Sequence, residues 1–99
     1  MSLESTTLRI KNKVGTDSGI GGTIKFNLGT DGVIVVDGTV VPNEVVNVDR
    51  PSDCTIMMGL GDLEDMIDGR LDPMSAYSSG KVVFEGDMMV AMKLLSRRS

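Results

Sequence analysis

Among the side chains of this chain that could do chemistry, four carboxylates stand closest together: Asp62, Glu64, Asp65 and Asp68. Two carboxylates can divide acid and base roles when their surroundings separate their pKa values. Nothing in the neighbouring sequence would separate these. Their spacing also lacks the alternation and terminal glutamate of a calcium loop. They read as the wet face of a helix. The single cysteine, Cys54, has no base to activate it, because the chain contains no histidine. That absence removes catalytic triads and imidazole metal sites together. Cys54 falls on the apolar register of a strand and reads as a small buried side chain. The glycines of GIGGT, 19–23, precede a strand rather than a helix, so the phosphate-cradle reading is weak. Tyr77 has no catalytic neighbour and reads as core or pocket lining. The expectation is a protein that is not an enzyme and carries no cofactor and no metal.

What the chain has in quantity is pliable apolar material. Eight methionines stand against two phenylalanines, one tyrosine and no tryptophan. Methionine fills irregular space and adapts to partners of different shape. The segment GDMMVAMKLL, 86–95, concentrates it. A helix over 87–95 would have Asp87 as its cap and Lys93 as its one polar residue. Met88, Ala91, Met92 and Leu95 form a stripe at helical spacing that would pack on a sheet. Met89, Val90 and Leu94 then spread onto the flanks, and a helix apolar on more than one side needs a second partner.

The elements that must position these residues follow from periodicity and turn chemistry. Residues 3–14 show a weak helical pattern that ends before Gly15. Residues 22–28 alternate as a strand, with Ile24, Phe26 and Leu28 on one side. Thr30-Asp31-Gly32 reads as a hairpin turn, and 33–36 is a continuous β-branched run. Residues 39–48 hold further strand material interrupted by Pro42, which belongs at an edge or bulge. Residues 53–58 alternate again. A short helix spans 60–68 and stops at Gly69. Asp72 caps a second one with Pro73 at its first position, ending at Gly80. Residues 81–85 form a strand with Val82 and Phe84 on one face. The order is a meander of about four strands, two short helices, a last strand and a terminal helix. It predicts an α+β fold of two layers, with helices covering one face of a sheet.

Length and composition bound the rest. Ninety-nine residues make one domain, 1–99, with a small core. A net charge of −4 argues against a general nucleic-acid binder. The N-terminus lacks the apolar segment of a secretory signal, no apolar run is long enough to span a bilayer, and one cysteine suits a reducing cytoplasm. Arg97 and Arg98 would complement the dipole at the end of the last helix.

From residue 53 onward the chain resembles the sterol carrier protein 2 family. The resemblance is carried by DCTIMM (53–58) and LEDMIDGRLDPMSAYSSGKVVFEGDMMVAMKLL (63–95). Within them come the step at Gly69, Arg70 and Pro73, then Ser75-Ala76, Gly80-Lys81, Gly86-Asp87-Met88 and Ala91-Met92-Lys93-Leu94, in order. Residues 20–50 match only as strand-turn-strand pattern. The resemblance implies a mostly antiparallel five-stranded sheet with helices over one face, enclosing an apolar tunnel. It also implies non-catalytic binding and transfer of sterols, fatty acids, fatty acyl-CoA or phospholipids. Three departures stand out. The opening helix is short and weakly patterned, Ser78 and Ser79 replace bulkier residues, and the tail SRRS is not a peroxisomal address.

An empty pocket of about 300 Å3 would cost ~7 kcal/mol at ~24 cal/mol per Å3. The whole stability of such a domain is about 5–15 kcal/mol, so a large dry cavity would collapse, take in water or hold a ligand. Burying a chain of about 15 methylenes gains ~12 kcal/mol gross, from which association costs are subtracted, leaving a reversible binder. The expected pocket lining is Ile24, Phe26, Ile56, Met58, Met66, Met74, Tyr77, Met89 and Met92. Lys81 and Lys93 are the candidates to pair with an anionic headgroup. The expected partners are a lipid ligand and, transiently, a membrane, with no nucleic acid. The alternative is the same fold used as a structural, enzyme-accessory or homodimerisation module, its apolar flanks buried by protein.

Overall fold

A computed structural model describes residues 2–95. The chain runs α1 (Leu3–Val14), β1 (Thr23–Asn27), β2 (Val33–Asp37), β3 (Glu44–Val46), β4 (Cys54–Met57), α2 (Leu60–Ile67), α3 (Pro73–Ser78), β5 (Val83–Gly86) and α4 (Met88–Leu95). A 3-10 turn at Gly29–Asp31 joins β1 to β2, where the sequence predicts a hairpin turn. The expected roles of Arg97, Arg98 and the SRRS tail lie outside the described residues.

The five strands form one mixed sheet in the order β3-β2-β1-β4-β5. The first three make the expected meander. β4 departs from it: it crosses over and pairs with β1 in parallel, Ile24 opposite Cys54 and Phe26 opposite Ile56. The other pairings are antiparallel. The crossover runs over the face opposite the helices. There Asp49 forms an ion pair with Lys25 at 2.6 Å, and the Ser52 and Thr55 hydroxyls lie 3.3 Å apart. This strap explains the β-branched run of β2. Val35 points away from the helices yet is only 1% exposed, so β2 is apolar on both faces.

Local chemistry sets the helix ends. Ser2 accepts the Ser5 amide and Ser5 returns the contact to the Ser2 amide, closing a capping box on α1. The Asp72 carboxylate accepts the Ser75 amide at 3.0 Å and Pro73 opens α3. Asp87 accepts the Met89 amide at 3.0 Å. Gly69, at φ 78°, stops the chain after α2. Pro42 lies in the turn before β3, after a cis peptide bond, rather than inside a strand.

All four helices bring apolar residues to one core: Ile10 and Val14 from α1, Leu60 and Leu63 from α2, Ala76 from α3, and Val90, Ala91 and Leu94 from α4. In α4 this is a rotation from the expected stripe. Met88, Met92 and Leu95 are half-buried flanks, and Val90, Ala91 and Leu94 face inward. The cause is at Gly22. Its missing side chain leaves space that the branched Val90 fills, so closely that a Cβ there would stand 3.0 Å from Val90 Cγ1. A stiff branched side chain seats better in that notch than a methionine.

Candidate functional site

The sheet presents two rows of apolar side chains to the helices. One runs Ile34, Phe26, Ile56, Phe84 across four strands. The other runs Val45, Val36, Ile24, Cys54 and ends at Gly86. Gly86 has φ 95°, and a Cβ there would collide with the Asp53 carbonyl oxygen. Only glycine closes the row at that edge.

The helical cover over these rows is uneven. Above β1, β2 and β4 it is complete: Ile24, Phe26 and Ile56 are 0% exposed. Toward β5 it thins. Phe84 is half-buried, and the Tyr77 ring rests against it with centroids 5.4 Å apart and planes at 55°, a favoured tilted pairing. Tyr77 is 45% and Met74 49% exposed. Beside them α3 borders an open depression of about 500 Å3 lined by Met74, Ser75, Ser78 and Ser79.

Of the nine residues singled out from the sequence, Ile24, Phe26, Ile56 and Met58 come together in the sealed part of the core. Met66 packs against that cluster from α2 and is half-buried, as is Met92 on the flank of α4. Met74, Tyr77 and Met89 point outward, Met89 being 71% exposed. Lys81 and Lys93 are exposed. Phe84 is the member that sequence reasoning left out, although its alternation with Val82 marked it as inward-facing. Val82 is buried on the same side.

Cys54 is buried, and burial raises its thiol pKa, with Asp87 adding to the effect. The thiol is therefore protonated at neutral pH and is a poor nucleophile.

The acidic helix face differs from its reading as wholly solvated. Glu64 is buried on α2 at 8% exposure. Its Oε1 accepts the Thr6 hydroxyl at 2.5 Å, and its Oε2 accepts from Arg9 at 2.5 Å. The second Arg9 nitrogen pairs with Asp68. The Thr6 hydrogen bond, then Arg9, hold Glu64 below the ordinary carboxylate range, and Arg9 does the same for Asp68. The guanidinium is raised in turn, chiefly by Asp68. Asn47 at the end of β3 donates to the Thr7 hydroxyl at 2.9 Å and to the Val33 carbonyl at 3.0 Å. Polar contacts thus tie α1 to α2 and β3, and between α1 and α2 lies a cleft of about 290 Å3 lined by Arg9, Asn12, Lys13 and Ile67.

Comparison with known proteins gives a consistent result. Residues 9–96 match the SCP-2 sterol transfer family. Sterol carrier protein 2 of Rattus norvegicus is 37% identical over 87 residues, covering 78% of this chain and 15% of that protein. The chain thus spans about 15% of the length of the curated relatives it matches. The crystal structure of sterol carrier protein 2 like 2 from Aedes aegypti superposes with a TM-score of 0.77 at 27% identity, covering 99% of this chain and 97% of that one. The solution structure of the palmitated form of that mosquito protein superposes with a TM-score of 0.70 at 28% identity, covering 97% and 93%.

Proposed function

Because the chain belongs to the SCP-2 sterol transfer family, we propose that it is a non-catalytic carrier, acting in the cytoplasm as a single domain, that takes up one long-chain lipid between the helices and the apolar rows of its sheet. The observation that carries this reading is the uneven cover. A continuous apolar surface starts in the sealed core at Phe26 and Ile56 and reaches half-open aromatic and methionine side chains at Phe84, Tyr77 and Met74. An acyl chain entering past α3 would pass Met74 at the mouth, displace Met66 and Met92 on the flanks of the core and extend toward Ile24, Phe26, Ile56 and Met58. Methionine is suited to this, because its unbranched side chain changes rotamer at little cost. Tyr77 forms the outer wall and Met89 meets the donor membrane. Lys81 and Lys93 are the cations available to an anionic headgroup.

A fatty acid is the first candidate ligand, supported by the palmitated state of the Aedes aegypti relative. The buried protonated thiol and the lack of histidine support physical uptake and release rather than bond-making. The test is native mass spectrometry of the purified chain, with solvent extraction of whatever comes with it, followed by titration with palmitate. One lipid per chain, displaced by added palmitate, is the expected result. A chain that carries nothing and takes up neither palmitate nor an acyl-CoA at micromolar concentration sinks the proposal.

A further inference from the structure

We propose that the β5 edge joins two copies of this chain, antiparallel about Phe84, so that their sheets become continuous. β5 is an outer strand of the sheet. The Asp87 amide donates to the Asp53 carbonyl at 2.8 Å. Continued along the β4–β5 register, that ladder turns the backbone groups of Val83 and Glu85 toward β4 and those of Phe84 outward. The Lys81 and Val82 amides are already taken by the Ala76 carbonyl. Phe84 therefore carries an outward N–H and C=O that a second strand can use.

The side chains select a second copy as that strand. A two-fold axis at Phe84 lets the two Phe84 residues exchange both backbone hydrogen bonds. On the outer face it sets Lys81 opposite the partner's Asp87 and diagonal to the partner's Glu85, and both pairings occur twice by symmetry. All three charged residues are exposed in the single chain. Cross-strand pairs of opposite charge are the favourable arrangement. On the helix side the axis brings two Tyr77–Phe84 ring pairs together. The chain has three aromatic residues, and two of them stand at this edge with Tyr77 half open to solvent. A neighbouring copy covers them, and the pairing does not depend on a bound lipid.

The experiment is sedimentation velocity on the full chain from micromolar to millimolar concentration, together with three variants and one control. The unaltered chain is expected to dimerise. Lys81→Glu sets like charges together across the axis and should weaken the dimer at least about tenfold. Adding Glu85→Lys restores only the diagonal pair, since residue 81 still faces the partner's Asp87, and should recover part of the lost affinity. Phe84→Cys places two thiols on the axis and should cross-link under mild oxidation well above an exposed control, Lys11→Cys. Cys54 is buried and does not compete. A chain that is monomeric throughout overturns the proposal. So does a dimer indifferent to Lys81→Glu, or a monomer whose edge instead sediments with phosphatidylcholine vesicles.

Discussion

The hydroxyl of Thr6 donates to Glu64 Oε1 at 2.5 Å, across 58 positions of sequence. This contact, with Arg9 bound to the same carboxylate, turns a helix of low apolar content into one docked on α2. Thr6→Val keeps the volume and removes the donor. It should lower Tm by several degrees and speed amide exchange in α1 more than in β1, read by hydrogen exchange mass spectrometry. Equal acceleration in both elements would show that the contact does not hold α1 specifically.

The same carboxylates set the acid limit. Glu64 and Asp68 are held below their ordinary values of 4.5 and 3.8, and Asp37 is held below 3.8 by the Thr39 hydroxyl and amide. A carboxyl whose pKa is lower folded than unfolded stabilises the fold above the unfolded value. That contribution is lost as pH falls through the folded value. Stability should be flat from neutral pH to about pH 5 and then fall progressively below it. Arg9 stays charged throughout. Urea midpoints measured from pH 7 to pH 3 check this, and Glu64→Gln should flatten the acid limb.

Gly86 and Gly69 both have positive φ, but only Gly86 lacks room. Gly69→Ala meets no atom and should cost about 1–2 kcal/mol from backbone conformation alone. Gly86→Ala must also push the Asp53 carbonyl away and should cost more than about 3 kcal/mol, detaching β5 from β4. Urea unfolding compares the two. Similar losses would mean the β4–β5 edge yields without consequence.

Tyr77 is the one tyrosine, in a chain without tryptophan. It therefore reports on its own surroundings without interference. At 45% exposure in the single chain its emission should be quenched by iodide in the lipid-free protein at concentrations low enough to keep it monomeric. Saturation with palmitate should cut the quenching constant by about half if the chain lies against the ring, as a ring losing most of its accessible surface would require. An unchanged constant removes Tyr77 from the pocket wall.

Cys54 combines full burial with a raised pKa. Its reaction with a disulfide reagent at pH 8 should run orders of magnitude slower than that of an unfolded control. The rate should follow openings of the sheet and rise with urea. Fast labelling in native buffer would mean that the β1–β4 seam breathes readily.

Most of the local architecture was legible because it is written in short-range chemistry. Asp72, Gly69 and Asp87 mark helix ends, and the alternation of Ile24, Phe26 and Leu28 marks an inward face. What periodicity missed depends on distant partners. Glu64 looks solvated beside Asp62 and Asp65 until Thr6 and Arg9 are brought to it. The face of α4 turns on Val90 meeting Gly22, a contact no helical wheel contains. The parallel β1–β4 pairing has no local signal, since a strand's neighbours are chosen by a crossover. Of the pocket residues, Ile24, Phe26, Ile56 and Met58 are inward by alternation. Met74, Tyr77 and Met89 stand outside because apolar type alone says nothing about how far the helical cover extends.

The strap that carries the chain from β3 to β4 also fixes the order in which the molecule can be made. β1 is the middle strand, yet one of its two neighbours, β4, is translated thirty residues after it, Ile24 before Cys54. While the chain emerges from the ribosome, Ile24 and Phe26 belong to a half-finished sheet with an open seam. Contacts of such long sequence separation are slow to form, and an open seam invites aggregation. Until residue 57 has emerged, the apolar β1 edge of the nascent chain has no β4 to pair with.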